Sequence, residues 1–121
     1  MIVARGASAS GQQRRSGYAA GMTLPPAGPD CTTMAEVRAG VDQVDRELVA
    51  ALARRFAYMD AAARIKPTRD AVRDESRKAQ VIANIRALAR EARLPEDALA
   101  ELWDSLVEAS IAYEFTAFDR R

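Results

Sequence analysis

The sequence predicts an all-α chain of three helices, long, short and medium in that order. Three observations predict it. Apolar residues recur at helical spacing in three separate stretches. Pro67 and Pro95 divide those stretches, and proline cannot continue a helix. No stretch alternates with the two-residue period of a strand. Composition agrees with one globular domain: 121 residues, 49% hydrophobic and 29% charged, with a net charge of +1.

Residues 1–30 stand apart as an N-terminal extension, and 31–121 as the helical domain. The extension is rich in Gly, Ala and Ser, ends in Pro25, Pro26 and Pro29, and shows no apolar periodicity, so it is expected to be disordered. It holds Arg5, Arg14 and Arg15 but one acid, Asp30. Removing it leaves 15 basic and 16 acidic residues, a nearly neutral domain. An Arg- and Ser-rich leader resembles a transit peptide; the preferred reading is an over-long start, with Met22 or Met34 as the natural first residue. No apolar run has the length of a signal-peptide core or of a membrane span, so a cytoplasmic location is expected.

The first helix begins after Thr32 or Thr33, either of which can cap it, with Glu36 placed for a capping box. Val37, Val41, Val44, Leu48, Leu52, Phe56, Met59 and Ala63 follow at steps of three and four, one face of a helix. Pro67 stops it. At about 30 residues and 1.5 Å per residue it is about 45 Å long. One small domain cannot easily cover such a helix, so a partner chain is expected. Asp74 is placed to cap the second helix, which carries Val81, Ile82, Ile85, Leu88 and Ala89. Residues 92–95 break it. Pro95 suits the first position of the third helix, with Glu96 and Asp97 at its positive end. Leu99, Leu102, Trp103, Leu106, Val107, Ile111 and Phe115 form its apolar stripe.

The absences limit the chemistry. The sequence has no histidine, which removes Ser-His and Cys-His pairs and the commonest metal ligand. Cys31 is the one cysteine, so no thiolate cluster can form. Catalysis would rest on carboxylates, Arg, Lys, hydroxyls or backbone. A near-neutral domain gives no footprint for nucleic acid.

Two groups break the apolar pattern. Arg54 and Arg55 lie deep in the long helix, and Arg55 and Lys66 are eleven residues apart, within roughly 20° of one face. They could converge on one small dianion, or belong to a solvated stripe. Ser110 and Glu114, one turn apart, lie beside the stripe of Trp103 and Val107. Desolvation there favours a protonated acid, a donor near neutral or mildly acidic pH. Alternatively Glu114 reaches water or pairs with Arg120. Arg77 and Lys78 are weaker candidates, and Tyr58 and Tyr113 read as boundary packing.

Arg38, the Arg54-Arg55 pair, Lys66, the Val72-Arg73-Asp74 turn with Arg77, and the Ser110/Glu114 pair resemble the all-α chorismate mutases. The likeness runs from about Cys31 to Phe118, and VRAGVDQVDRELVAALARRFAYMDAAARIK (37–66) is its most specific part. It extends to isochorismate pyruvate lyase, a relative on the same fold. The resemblance implies an intertwined helical homodimer with two shared sites and no cofactor or metal. Each site would take Arg55, Lys66, Asp74, Arg77, Ser110 and Glu114 from one chain and Arg38 from the other. Arg38 and Lys66 are 28 residues apart, about 42 Å along one helix, too far for one small ligand to touch both in one chain.

The implied reaction is the Claisen rearrangement of chorismate to prephenate, a step in aromatic amino acid biosynthesis. Arg38 and Arg55 would clamp the carboxylates, Arg77 would assist at the ring, and Lys66 and Glu114 would donate to the ether oxygen. Many relatives carry glutamine where Glu114 stands. Glu donates there only in its acid form, so activity is expected to fall as pH rises. Typical mutases carry a substrate-contacting glutamate where this chain has Lys78. The alternatives are isochorismate pyruvate lyase, giving salicylate and pyruvate, and a non-catalytic helical interaction module. The short loop after Lys66, CTTMAEVR (31–38) and AAARIK (61–66) are lyase-like; VRDESR (72–77) and Ser110 are mutase-like.

Overall fold

The computed structural model describes residues 24–121. Among them are three α-helices, α1 (Met34–Ile65), α2 (Glu75–Glu91) and α3 (Glu96–Asp119), with 3-10 turns at Gly28–Asp30 and Arg69–Ala71 and no strand. The expected order of long, short and medium helices holds. Of the expected extension, residues 1–23 lie outside the described residues, and a 3-10 turn stands at Gly28–Asp30. The chain divides into two compact units between Ala51 and Leu52, and α1 runs through the division.

The start of α1 is a reciprocal cap. The Thr33 hydroxyl accepts from the Glu36 amide at 3.2 Å, and Glu36 Oε1 accepts from the Thr32 and Thr33 amides at 2.8 and 3.2 Å. Those donors, Thr32 first, lower the Glu36 pKa. The segment 24–31 lies along the first turns of α1, where Leu24, Pro25 and Pro26 with Val37, Val41 and Val44 border a groove of about 500 Å³. The apolar face of this unit is half open: Val41, Val44 and Leu48 are each about half exposed.

In the second unit α2 packs along α3. Val72, Val107 and Ile111 form a small buried cluster, covered by Val81, Phe115 and Phe118. Burying a Val or Ile side chain contributes roughly 2 kcal/mol. The other buried apolar residues are alanines, Ala63, Ala89 and Ala100. Leu88 and Leu102, both expected on buried stripes, are instead 57% and 61% exposed. The stripes are wider than the surface one neighbouring helix can cover, so their edges face outward.

Asp74 caps α2 as expected, accepting the Arg77 amide at 3.0 Å. Pro95 stands one position earlier than expected, at the N-cap of α3 rather than its first turn. Its φ of −66° suits either place. α2 ends in a Schellman motif that the sequence concealed. The Leu94 amide donates to the Ala89 carbonyl at 2.8 Å, and the Arg93 amide to that of Arg90 at 3.1 Å. The motif needs a left-handed residue, usually glycine, and here Arg93 supplies it with φ 61°. A side chain in that region costs about 1 kcal/mol. Arg93→Gly is therefore expected to raise the melting temperature by a few degrees, corresponding to about 1 kcal/mol. A lower melting temperature in a thermal scan would show that the Arg93 side chain contributes more than its backbone costs.

Candidate functional site

The eleven-residue spacing sets Arg55 and Lys66 on one face of α1, and the four-residue spacing sets Ser110 and Glu114 one turn apart on α3. The fold brings the two sets together. Arg55 Nη1 donates to Ser110 Oγ at 2.6 Å, and that hydroxyl donates onward to the Leu106 carbonyl at 2.7 Å. Lys66 Nζ lies 2.7 Å from Glu114 Oε2 and donates to the Val72 carbonyl at 3.3 Å. Ser110 and Glu114 are both buried. Glu114 therefore neither reaches water nor pairs with Arg120.

The Lys66–Glu114 contact is close but not aligned. Glu114 Oε2 is buried and, among the described residues, has the Lys66 ammonium in contact but no aligned hydrogen bond. Charge attraction holds the pair, while a buried acceptor without a donor carries a desolvation cost. Such groups are rare in structural cores.

Arg77 opens α2. Its amide is committed to the Asp74 cap, and its guanidinium donates to Gln80 Oε1 at 2.6 Å. Burial lowers the Arg55 pKa, and the like charge of Arg77 lowers it further. Among the described residues neither arginine has an acidic partner. Four surface arginines differ, although among the described residues Arg38, Arg54 and Arg64 on α1 likewise form no acidic pair. Arg69 pairs with Asp119, Arg73 with Glu75 and Glu108, Arg86 with Asp97 and Arg90 with Glu96. A half-buried guanidinium with a second positive charge near it is an arrangement that an anion would relieve.

Arg38 is exposed on α1 in the first unit. The groove in that unit has Asp45 and Glu47 as its charged lining, which would repel a dicarboxylate. Asp74 is exposed and acts as a cap. Tyr113 packs edge-on against Phe56, with centroids 4.9 Å apart, and donates to Asp60 at 3.1 Å. Tyr58 is exposed.

Lys78 is fixed in a role the sequence did not reveal. Its Nζ lies 3.0 Å from Asp104 Oδ1 and 2.6 Å from Glu108 Oε2, both on α3. On a helical wheel residues 104 and 108 flank the α3 core stripe on the side away from 110 and 114. The Lys78 charge is thus spent on joining α2 to α3. Periodicity carries no sign of such a bridge between helices. Gln80, three residues after Arg77, was legible as a partner by spacing.

The same bridge makes stability depend on pH. Hydrogen bonds from Arg73, first, and Lys78 hold the Glu108 carboxyl down at about 2, against an ordinary 4.5. A group lowered on folding stabilises fully above its unfolded value and loses that contribution as pH falls through the folded value. The loss therefore runs from about pH 4.5 towards pH 2. Urea midpoints measured across that window should fall less steeply in Glu108→Gln than in the native chain. Parallel curves would show that the bridge adds nothing to acid sensitivity.

The chorismate mutase type II family model matches residues 37–115. Isochorismate pyruvate lyase of Pseudomonas aeruginosa is 31% identical over 83 residues, which cover 69% of this chain and 82% of that protein.

Proposed function

This chain belongs to the chorismate mutase type II family, and from that premise we propose that it is a chorismate mutase converting chorismate to prephenate. The observation that carries the reading is the convergence of Arg55, bonded to Ser110, and Lys66, set against Glu114, with the charge of Arg77 near enough to act on Arg55. Arg55 binds a substrate carboxylate, and Arg77 steadies the ring side. The substrate's ether C–O bond breaks as its new C–C bond forms, so no external nucleophile or base takes part. Lys66 donates to the ether oxygen as negative charge develops there. Glu114, ion-paired with Lys66 in the unliganded chain, meets the same oxygen. Holding the ring in a near-attack conformer supplies the orientation contribution.

A second copy of the chain completes the site by supplying Arg38. Two features support this. Val41, Val44 and Leu48 leave an apolar face half open, and among the described residues the buried core is small, with no buried leucine or aromatic residue. The 28 residues between Arg38 and Lys66 in the sequence also correspond to about 42 Å of helix, too long for one small ligand to bridge.

A second reading, isochorismate pyruvate lyase, draws support from the Pseudomonas aeruginosa relative. It also draws on Lys78, which bonds to α3 where typical mutases present a glutamate to the substrate.

Steady-state assays with both substrates separate the readings. Prephenate from chorismate is the expected product; salicylate and pyruvate from isochorismate alone would favour the lyase, and no turnover of either would overturn both. Mixing two inactive variants, Arg38→Ala and Lys66→Ala, tests the shared site. Random exchange in a two-fold dimer restores one intact site in each mixed pair, about a quarter of the native rate. No recovery in a chain-exchanging mixture would place Arg38 outside the site.

A further inference from the structure

We propose that Arg121 is a positioning residue for Lys66. The proposal rests on the reading of Lys66 as the donor to the ether oxygen. Its ground is a defect in the end of α1. In a regular helix the Ala63 carbonyl accepts from the amide of residue 67. Residue 67 is proline and has no N–H. Ala63 is only 2% exposed, so water does not readily replace that donor.

Arg121 supplies it. Its Nη1 donates to the Ala63 carbonyl at 3.2 Å and to the Lys66 carbonyl at 2.5 Å. The guanidinium also lies over the Phe118 ring, 4.0 Å from its centroid, which fixes it against α3. A cation there also meets the negative end of the helix. A second clamp acts on the same loop. Arg69 makes a forked contact to Asp119 at 2.9 and 3.2 Å and lies 4.4 Å over Phe115.

The consequence falls on Lys66. Its amide is held by Ala62 and its carbonyl by Arg121, so both peptide groups flanking its Cα are fixed. From that anchor the side chain reaches Val72 and Glu114. Without Arg121 the Lys66 carbonyl loses its hold, only the more distant Arg69 clamp remains, and the aim of Nζ loosens. A misplacement of about 1 Å costs up to about 100-fold in rate. The lost interaction is one made in the transition state, so kcat falls while KM stays.

The experiment compares native, Arg121→Ala, Arg121→Lys and Lys66→Ala chains in steady state on chorismate and on isochorismate, with circular dichroism to confirm folding. Arg121→Ala is expected to lower kcat about tenfold or more with KM within about twofold, and Arg121→Lys to restore part of it by reaching one carbonyl. Should the alanine chain fail to fold, Arg121→Gln, which keeps one donor, carries the same kcat-against-KM comparison. A native kcat in the Arg121 variants with an inactive Lys66→Ala would overturn the inference and leave the reading of Lys66 standing. A native kcat in Lys66→Ala would overturn that reading itself.

Discussion

The structure turns on positive charge held without a counter-charge. Arg55 is half-buried and, among the described residues, bonded to the hydroxyl of Ser110; burial first, and the charge of Arg77 second, make its ionised form less favourable. Among the described residues, the remaining arginines of α2 and its flanking loops are matched by acids, apart from Arg93. Folding that leaves like charges facing each other is a cost. A chain shaped by stability alone would place an aspartate or glutamate there. The acid that is present, Glu114, sits against Lys66, one turn along α3 from Ser110.

The rest of the second unit serves that arrangement. Pro67 ends α1 at the point where Lys66 faces α3, and the Asp74 cap starts α2 with Arg77 in its first turn. The buried Val72, Val107 and Ile111 fix the spacing of loop, α2 and α3. Outside the site, charges are spent in pairs. Lys78 and Arg73 join α2 and its preceding loop to Glu108 on α3, and Arg69 ties the loop to Asp119. Exposed pairs of this kind contribute little individually. Their effect lies in geometry, since they hold the loop that carries Lys66 and the Val72 carbonyl.

Much of this was legible in the sequence, because helical spacing and capping are local. The Thr33–Glu36 box, the Asp74 cap and the stop at Pro67 follow from local intervals, whereas the meeting of Arg55 and Lys66 with Ser110 and Glu114 was implied only by the resemblance to the all-α chorismate mutases, since spacing sets each pair on a face but not which faces meet. Interactions without a local period were not legible. Lys78 reaches 26 and 30 residues along the chain, to Asp104 and Glu108. Arg93 hid a Schellman motif whose usual marker is glycine. Leu88 and Leu102 matched an apolar stripe yet face outward, because periodicity gives a face but not how much of it a neighbour covers. The two openings of Glu114, solvent or pocket, could not be told apart from position; the pairing with Lys66 decides between them for the unliganded chain.

The most direct test of the central claim is the urea unfolding midpoint of Arg55→Met without ligand. Methionine keeps similar bulk and removes the charge, while Ser110 retains its bond to Leu106. If Arg55 is held at a cost for the sake of a dianion, the variant unfolds at an equal or higher midpoint while losing turnover. A midpoint well below the native one would show that Arg55 chiefly holds the fold together, and would contradict the account.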